Sequence, residues 1–144
     1  MDQFFRSRAL PDVSSHEWIA QANAISPFDF RLTDKDGDER HVDAKSTSGR
    51  FANPVYMSIA EIRHAVHGGA PYDIFRLYNV KETSASLKIA RNVGLQLASV
   101  LNTLKDIPEG VSVDSLSFEP SFFDFDSKDF SIEVAGEGDD ETVE

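Results

Sequence analysis

The chain has 144 residues, of which 40% are hydrophobic, and its formal net charge is −11. This length suits one domain with a buried core and excludes a second. Cysteine is absent, so disulfides and thiolate zinc sites are excluded. Residues 1–117 hold 15 acids and 13 bases, whereas residues 118–144 hold ten acids and one base. This balance argues against strong nonspecific binding to DNA, which we expect a fused or partner module to supply.

The first 13 residues show little periodicity and predict an arm or a linker. Ser14 and Glu17 have the spacing of a capping box, which predicts a helix opening the domain expected over residues 14–136. Residues 137–144 predict a disordered acidic tail. Because the N-terminus lacks the apolar run of a signal peptide or membrane span, we expect a cytoplasmic protein without a membrane partner.

Residues 28–47 predict a β-hairpin, because apolar and polar residues alternate on both sides of a polar turn. The turn, residues 35–37, is a three-residue loop that ends in glycine, and glycine adopts the left-handed conformation required there. The resulting register places Asp29 opposite Asp43 and puts Lys45 on the same face as Asp43.

Two opposed carboxylates repel each other unless a cation lies between them. Oxygen ligands beside a lysine favour Mg²⁺ or Mn²⁺ over zinc. We therefore expect Asp29 and Asp43 to hold one such ion and Lys45 to orient an attacking water. The alternative is an exposed hairpin face with ordinary surface charges.

The polar loop after this hairpin would lie at the rim of such a site. Arg50, with Ser46 and Thr47, is a candidate to hold a phosphate, although a lone loop arginine is more often solvated. Residues 54–57 predict a short strand, and Ser58 begins a second capping box.

The helix that follows is expected to end at Gly68 and Gly69. Glu61 completes its capping box and is interpreted as structural. His64 and His67 share a face, and we interpret them as surface histidines rather than as a metal pair.

Residues 72–80 predict a central strand covered on both faces, in which Arg76 requires an acidic partner. A strand over 85–90, a helix over 93–104 and a strand near 111–116 follow. The phenylalanine-rich segment 118–130 is acidic, so packing on the core or on a partner protein is favoured over stacking with bases.

Asp29, followed one hairpin later by Asp43-Ala44-Lys45, resembles the PD-(D/E)xK nuclease signature. The order of this hairpin, the Pro54-Val55-Tyr56-Met57-Ser58 strand and the strand from Tyr72 to Tyr78 is similar to the C-terminal domain of protein NO VEIN, which is also found in bacterial restriction and defence proteins. The resemblance covers roughly residues 18–120. Phe28 replaces the signature proline, and position 43 carries Asp where these domains usually carry Glu.

The resemblance implies an α/β fold with a restriction-endonuclease-like core, a central mixed sheet flanked by helices. It implies a Mg²⁺- or Mn²⁺-dependent endonuclease, with DNA as the favoured substrate, acting in a bacterial restriction or anti-phage system. Glu17 would complete the metal shell, unless it only closes its helix cap. The implied partners are nucleic acid, a larger defence protein or complex, and a second copy of the chain.

Two further hypotheses remain open. One is an inactive nuclease-fold module that binds nucleic acid or a partner protein. The other is an interaction domain that works through its phenylalanine-rich C-terminus.

Overall fold

The computed structural model describes residues 1–6 and 10–133. In chain order the elements are α1 (Asp2–Arg6), β1 (Val13–Trp18), α2 (Ile19–Ala22), β2 (Phe30–Asp34), β3 (Glu39–Ser46), β4 (Val55–Ser58), α3 (Ile59–His67), β5 (Tyr72–Tyr78), β6 (Ser84–Ala90), α4 (Gly94–Leu104), β7 (Ser115–Phe118), a 3₁₀ turn (Pro120–Phe122) and β8 (Phe130–Glu133).

A six-stranded mixed sheet organises this α/β fold, with the strand order β1-β2-β3-β5-β6-β8. Its neighbouring strands run antiparallel except β3 and β5, which are parallel. A parallel pair requires a crossover connection, and the chain supplies it through β4 and α3. The strand β4 pairs with β7 in a separate two-stranded sheet.

Both faces of the large sheet are covered. On one face, α3, α4 and the small sheet pack on a cluster that includes Tyr72 and Ile74. On the other face, Phe4 of α1 packs on a cluster that includes Phe30 and Phe75. The five buried residues that begin β5 confirm the prediction of a central strand covered on both sides.

Local signals place most elements correctly. The second capping box is confirmed, because Ser58 and Glu61 bond to each other's backbone amides at the start of α3. That helix ends at Gly68, followed by Gly69 with φ 81°. The predicted strands at β4, β5 and β6 and the predicted helix at α4 are also confirmed.

The helix predicted from Ser14 is wrong, because residues 13–18 form the edge strand β1. The Ser14 hydroxyl donates to the carbonyl oxygens of Thr33 and Asp34, both at 2.9 Å, and does not cap a helix. Only the four-residue helix α2 follows. These hydrogen bonds to β2 cross about 20 positions of sequence, so a local capping signature cannot reveal them.

The ends of the domain are described in part. Phe4 and Phe5 are buried, so the N-terminal segment packs on the core. Phe118 and Phe123 are buried too, which agrees with core packing of the phenylalanine-rich segment. The predicted acidic tail, residues 137–144, lies outside the described residues. Within the described ranges, no helix has the length and apolarity to cross a membrane.

Candidate functional site

The hairpin of β2 and β3 has the predicted turn, and the predicted register holds from Phe30 to Thr33, whereas the predicted pairing of Asp29 with Asp43 is not formed. Gly37 has φ 84°, and the amide of Asp34 donates to the carbonyl of Asp38 across the three-residue loop at 2.9 Å. Phe30 pairs with Val42. The geometry follows from the glycine, which alone tolerates this φ without strain.

Asp29 lies one residue before β2 and bonds to the backbone on either side of Asp43. Its amide donates to the carbonyl of Val42 at 2.8 Å, and its Oδ2 accepts from the amide of Ala44 at 2.7 Å. The two bonds hold Asp29 against the segment 42–44. Phe28 stacks on the ring of His41, with ring centroids 3.9 Å apart, and it packs in the core cluster of Tyr72, whereas Phe30 packs in the cluster on the other face of the sheet.

Asp43 is buried, with 2% of its surface exposed. Its Oδ2 lies 3.0 Å from the Tyr72 hydroxyl and 3.2 Å from Lys45 Nζ. Burial raises the pKa of Asp43 well above its usual value; Lys45 opposes this rise, while Glu61 and Asp29 add to it. Asp43 is therefore a carboxyl group that a nearby cation would strongly favour in its ionised form.

Lys45 links this carboxyl group to α3. Its ammonium lies 2.9 Å and 3.0 Å from the two carboxylate oxygens of Glu61. Burial opposes the charged form of Lys45, but Asp43 and Glu61 outweigh burial and raise the pKa of this ammonium group. Lys45 is therefore charged and lies between two acids.

Glu61 is a site residue that the sequence interpretation missed. Its Oε1 accepts from the amide of Ser58 at 2.8 Å as part of the capping box, and the same carboxylate accepts from Lys45. A capping box accounts fully for an acid at this position, so only the crossing of α3 over β3 reveals the second role.

Tyr72, on the neighbouring strand β5, contacts Asp43 and fixes its position. The Tyr72 hydroxyl lies 2.7 Å from the carbonyl of Pro27 and 3.0 Å from Asp43. It has a single proton to donate to these two oxygens. Burial, followed by the charge of Asp43, raises the pKa of Tyr72, so the phenol stays neutral and acts only in hydrogen bonding.

Glu17 does not join the site. It lies on β1 opposite Arg31 and is bonded to the Arg31 guanidinium at 2.8 Å, with 64% of its side chain exposed. The expectation that Glu17 completes a metal shell is wrong, because it depended on a first helix where the chain forms an edge strand. The paired arginine is the physical reason for an acid at this position.

Of the proposed rim residues, Ser46 ends β3, and Thr47 and Arg50 lie on the loop after it. Arg50 and Ser46 are exposed. Thr47 Oγ1 accepts from the amide of Gly49 at 3.1 Å and from Asn53 Nδ2 at 3.3 Å, so it organises the loop. No contact of the described structure joins Arg50 to the carboxylates of the site.

Two other sequence interpretations also require correction. Arg76 has no acidic partner among the described residues; its Nη2 donates to the carbonyls of Asn53 and Pro54. His64 is not a free surface residue, because its Nε2 lies 2.7 Å from Nδ1 of the buried His41. The partner imidazole comes from β3 and could not be inferred from α3 alone.

The donor set fits a hard divalent cation. Asp43 and Glu61 contact one ammonium group, and Asp29 lies near Asp43, which leaves an excess of negative charge when all three carboxyl groups are ionised. Carboxylate oxygens are the ligands that Mg²⁺ and Mn²⁺ prefer. A second acidic group at the hairpin tip, Asp34, Asp36 and Asp38, brings oxygens within 4.8 Å of one another.

Comparison with known proteins gives one match. A family model described as Protein NO VEIN, C-terminal, matches residues 6–90, which is more than half of the chain. The matched segment includes the hairpin, α3 and β5. No curated protein and no solved structure matches the chain.

Proposed function

The chain belongs to the family described as Protein NO VEIN, C-terminal, and from this premise we propose that it is a metal-dependent phosphodiesterase domain that cuts DNA. The observation that carries the proposal is the arrangement of Asp43, Lys45 and Glu61 at bonding distance, with Asp29 beside them. The family match alone names no chemistry, so the argument depends on these residues.

Each acid in this proposal has a fixed orientation. The amide of Ala44 holds Asp29, the Tyr72 hydroxyl holds Asp43, and the amide of Ser58 holds Glu61. Rigid placement of ligands by neighbouring groups is what a metal site requires. Bound Mg²⁺ or Mn²⁺ would lower the pKa of a coordinated water and offset the charge that gathers on the scissile phosphate.

Lys45 has two roles in this account. Without a divalent ion its ammonium compensates the charge of Asp43 and Glu61. With substrate present, the same ammonium is positioned to orient the attacking water and to stabilise the extra negative charge of the transition state. A positive side chain beside developing negative charge contributes most in a site that excludes water. The Lys45 side chain meets this condition in large part, because only 17% of it is exposed.

The wider context is proposed on the resemblance. The hairpin, the α3 crossover and the parallel pair β3 and β5 would form a restriction-endonuclease-like core of the PD-(D/E)xK nuclease type. A larger restriction or anti-phage protein or complex would supply the strong DNA affinity that a chain of net charge −11 lacks, and the chain alone would bind DNA weakly at low salt.

The test is cleavage of labelled single-stranded and duplex DNA with Mg²⁺, with Mn²⁺ and with EDTA. We expect cleavage only with metal, abolished by Asp43→Asn and reduced roughly 10²- to 10⁴-fold by Lys45→Met, the usual range for loss of a positioned acid or base. Asp106→Asn, which changes an exposed acid, is the matched control. Cleavage that persists in Asp43→Asn, with the fold intact by circular dichroism, would contradict the proposal.

One observation favours a second candidate, a nuclease-fold module that binds nucleic acid or a partner protein without cutting. Lys45 already compensates Asp43 and Glu61, so the cluster can exist as a buried ion network without metal. This candidate predicts no heat of Mg²⁺ or Mn²⁺ binding by calorimetry. A clear isotherm that disappears in Asp43→Asn would exclude it.

A further inference from the structure

Three cationic side chains lie side by side on the sheet face that carries Asp43. Lys45 on β3 is the register neighbour of Arg76 on β5, and Arg76 is the register neighbour of Lys88 on β6. Register neighbours share a face of the sheet. Because adjacent strands are about 4.8 Å apart, this cationic row (Lys45, Arg76 and Lys88) extends about 10 Å from the acidic cluster towards β6.

The charges of the cationic row are compensated unequally. Lys45 contacts two carboxylates, whereas Lys88 has one acidic neighbour within 4 Å among the described residues, Asp129, with an oxygen 3.9 Å from the ammonium. Arg76 is 2% exposed and forms no ion pair within the described part of the chain. Positive charge in the row is therefore compensated most at Lys45, weakly at Lys88 and least at Arg76.

Arg76 is the least satisfied of the three. Its Nη2 donates to the carbonyls of Asn53 at 2.7 Å and Pro54 at 3.4 Å, and its Nε is buried without a hydrogen-bond partner. A buried charge without a counter-ion destabilises a folded protein, because its lost hydration is not replaced. Arg76 is therefore a buried cation that an anion bound nearby would stabilise.

The end of the row at Lys88 is partly exposed to solvent. A quarter of this side chain is exposed, and its ammonium lies 5.0 Å from the ring centroid of Phe51 on the loop over the sheet. The loop also carries the exposed Arg50. An anion that approaches the sheet beside the acidic cluster thus meets an accessible ammonium group at Lys88, with the Arg76 guanidinium buried next to it.

We infer that Lys88, at the outer end of the cationic row, binds the phosphodiester that follows the scissile one, so that a nucleic-acid strand leads from the acids past the outside of the loop that covers Arg76. This inference depends on the proposed function. Lys88 contacts the phosphate, and Arg76 adds positive charge from beneath the loop. Both are positioning residues. Asp129, which lies by Lys88 and is also bonded to the Tyr78 hydroxyl, competes with the phosphate.

The experiment measures binding without metal, so that cleavage cannot occur. A short fluorescent single-stranded DNA is titrated with the full chain in EDTA at several salt concentrations. We expect Lys88→Gln to reduce the slope of log K against log salt by about 0.7, the value for one phosphate contact on a single strand. Lys88→Arg should restore the slope, and Asp129→Asn should tighten binding.

The control is Lys105→Gln, an equal charge change at an exposed lysine outside the row, which should leave the slope at its wild-type value. The variants Arg76→Gln and Arg76→Lys distinguish an effect of the Arg76 charge on binding from its structural support of the loop. If Arg76 only holds the loop, both variants unfold more easily and both keep the wild-type slope. If its charge matters, Arg76→Lys keeps the slope and Arg76→Gln lowers it.

A wild-type slope in Lys88→Gln, or no binding of the DNA by the wild-type chain at low salt, overturns the inference. Failure of the proposed function is a different result. A chain that binds DNA through Lys88 and shows no metal-dependent cleavage contradicts the proposed chemistry and leaves the cationic row in place. If the chain cleaves DNA with metal and Lys88→Gln keeps the wild-type slope of log K against log salt, the inference about the cationic row is contradicted and the proposed function is not.

Discussion

Lys45 on β3 and Glu61 on α3 form a two-bond ion pair, in which the ammonium lies 2.9 Å and 3.0 Å from the carboxylate oxygens. The same carboxylate accepts from the amide of Ser58 and closes the capping box of α3. The charge balance of the candidate site is therefore joined to the first turn of the crossover helix. Changes at Glu61 can separate the two roles.

We predict that Glu61→Gln keeps the helix cap and weakens metal binding. Glutamine serves in a capping box as glutamate does, whereas only the carboxylate contributes charge to a metal. The unfolding free energy should change by less than about 1 kcal/mol. Calorimetry with Mn²⁺ should show affinity reduced at least about tenfold, as for other changes around a metal site.

Two controls accompany that variant. Ser58→Ala should lower the unfolding free energy by about 1 kcal/mol through loss of the cap and should retain Mn²⁺ binding. Glu17→Gln should change neither the cap nor the affinity, since Glu17 pairs with Arg31 on the edge strand. Equal losses of affinity in Ser58→Ala and Glu61→Gln would show that Glu61 acts only by holding the helix.

We predict that Asp43→Asn stabilises the metal-free protein at neutral pH. The folded-state pKa of Asp43 is raised above its unfolded value, chiefly by burial. The neutral carboxyl group thus contributes stability below the unfolded pKa of about 4, and that contribution is lost as pH rises through the raised pKa. Asparagine keeps the shape and does not ionise.

Urea unfolding in EDTA from about pH 4 to about pH 8 measures this effect. The wild type and Asp43→Asn should have similar stability at the acidic end and diverge in favour of Asp43→Asn as pH rises. Adding Mn²⁺ should stabilise the wild type only, because only that chain binds the ion. Parallel stability curves for the two chains would contradict the raised pKa.

We predict that Tyr72→Phe destabilises the fold by about 1–3 kcal/mol, the usual cost of leaving buried polar groups without a partner. Phenylalanine retains the packing of the ring and leaves the carbonyl of Pro27 and the carboxyl of Asp43 without the hydroxyl. Denaturant unfolding measures the loss. Tyr78→Phe, which removes a hydroxyl at a more exposed position, is the matched control and should cost less.

We predict that stability falls below about pH 6.5 because of His64. Burial, together with the neighbouring His41, lowers the pKa of His64, so the neutral imidazole contributes stability above the unfolded pKa, and this is lost as pH falls. The acid next to this histidine pair is Glu39, which is bonded to His41 at 2.5 Å. Unfolding curves for His64→Gln should show a smaller loss between about pH 7.5 and about pH 5.5; an unchanged dependence would contradict the assignment.

The sequence predicts the site where the determinants are local. Gly37 fixes a three-residue turn, and the turn fixes the register of Phe30 with Val42. The capping box at Ser58 is equally local, because donor and acceptor lie three residues apart. These features depend on a few neighbouring φ angles and hydrogen bonds, which a sequence pattern can specify.

Prediction fails where a distant strand decides the outcome. Ser14 and Glu17 have the same spacing as Ser58 and Glu61, yet β2 draws the first pair into a strand. The partner of Arg76 is likewise unpredictable, because it consists of backbone carbonyls in a loop more than 20 positions earlier. Such contacts exist only once the sheet has assembled.

The most direct test of the account is a crystal of the full chain soaked with Mn²⁺ and examined by anomalous diffraction. The account predicts an ion bound by the carboxylates of Asp29 and Asp43, with Glu61 in or beside its shell, and no ion in crystals of Asp43→Asn. An ion only at the hairpin tip, Asp34, Asp36 and Asp38, with Lys45 still bonded to Asp43 and Glu61, would contradict it.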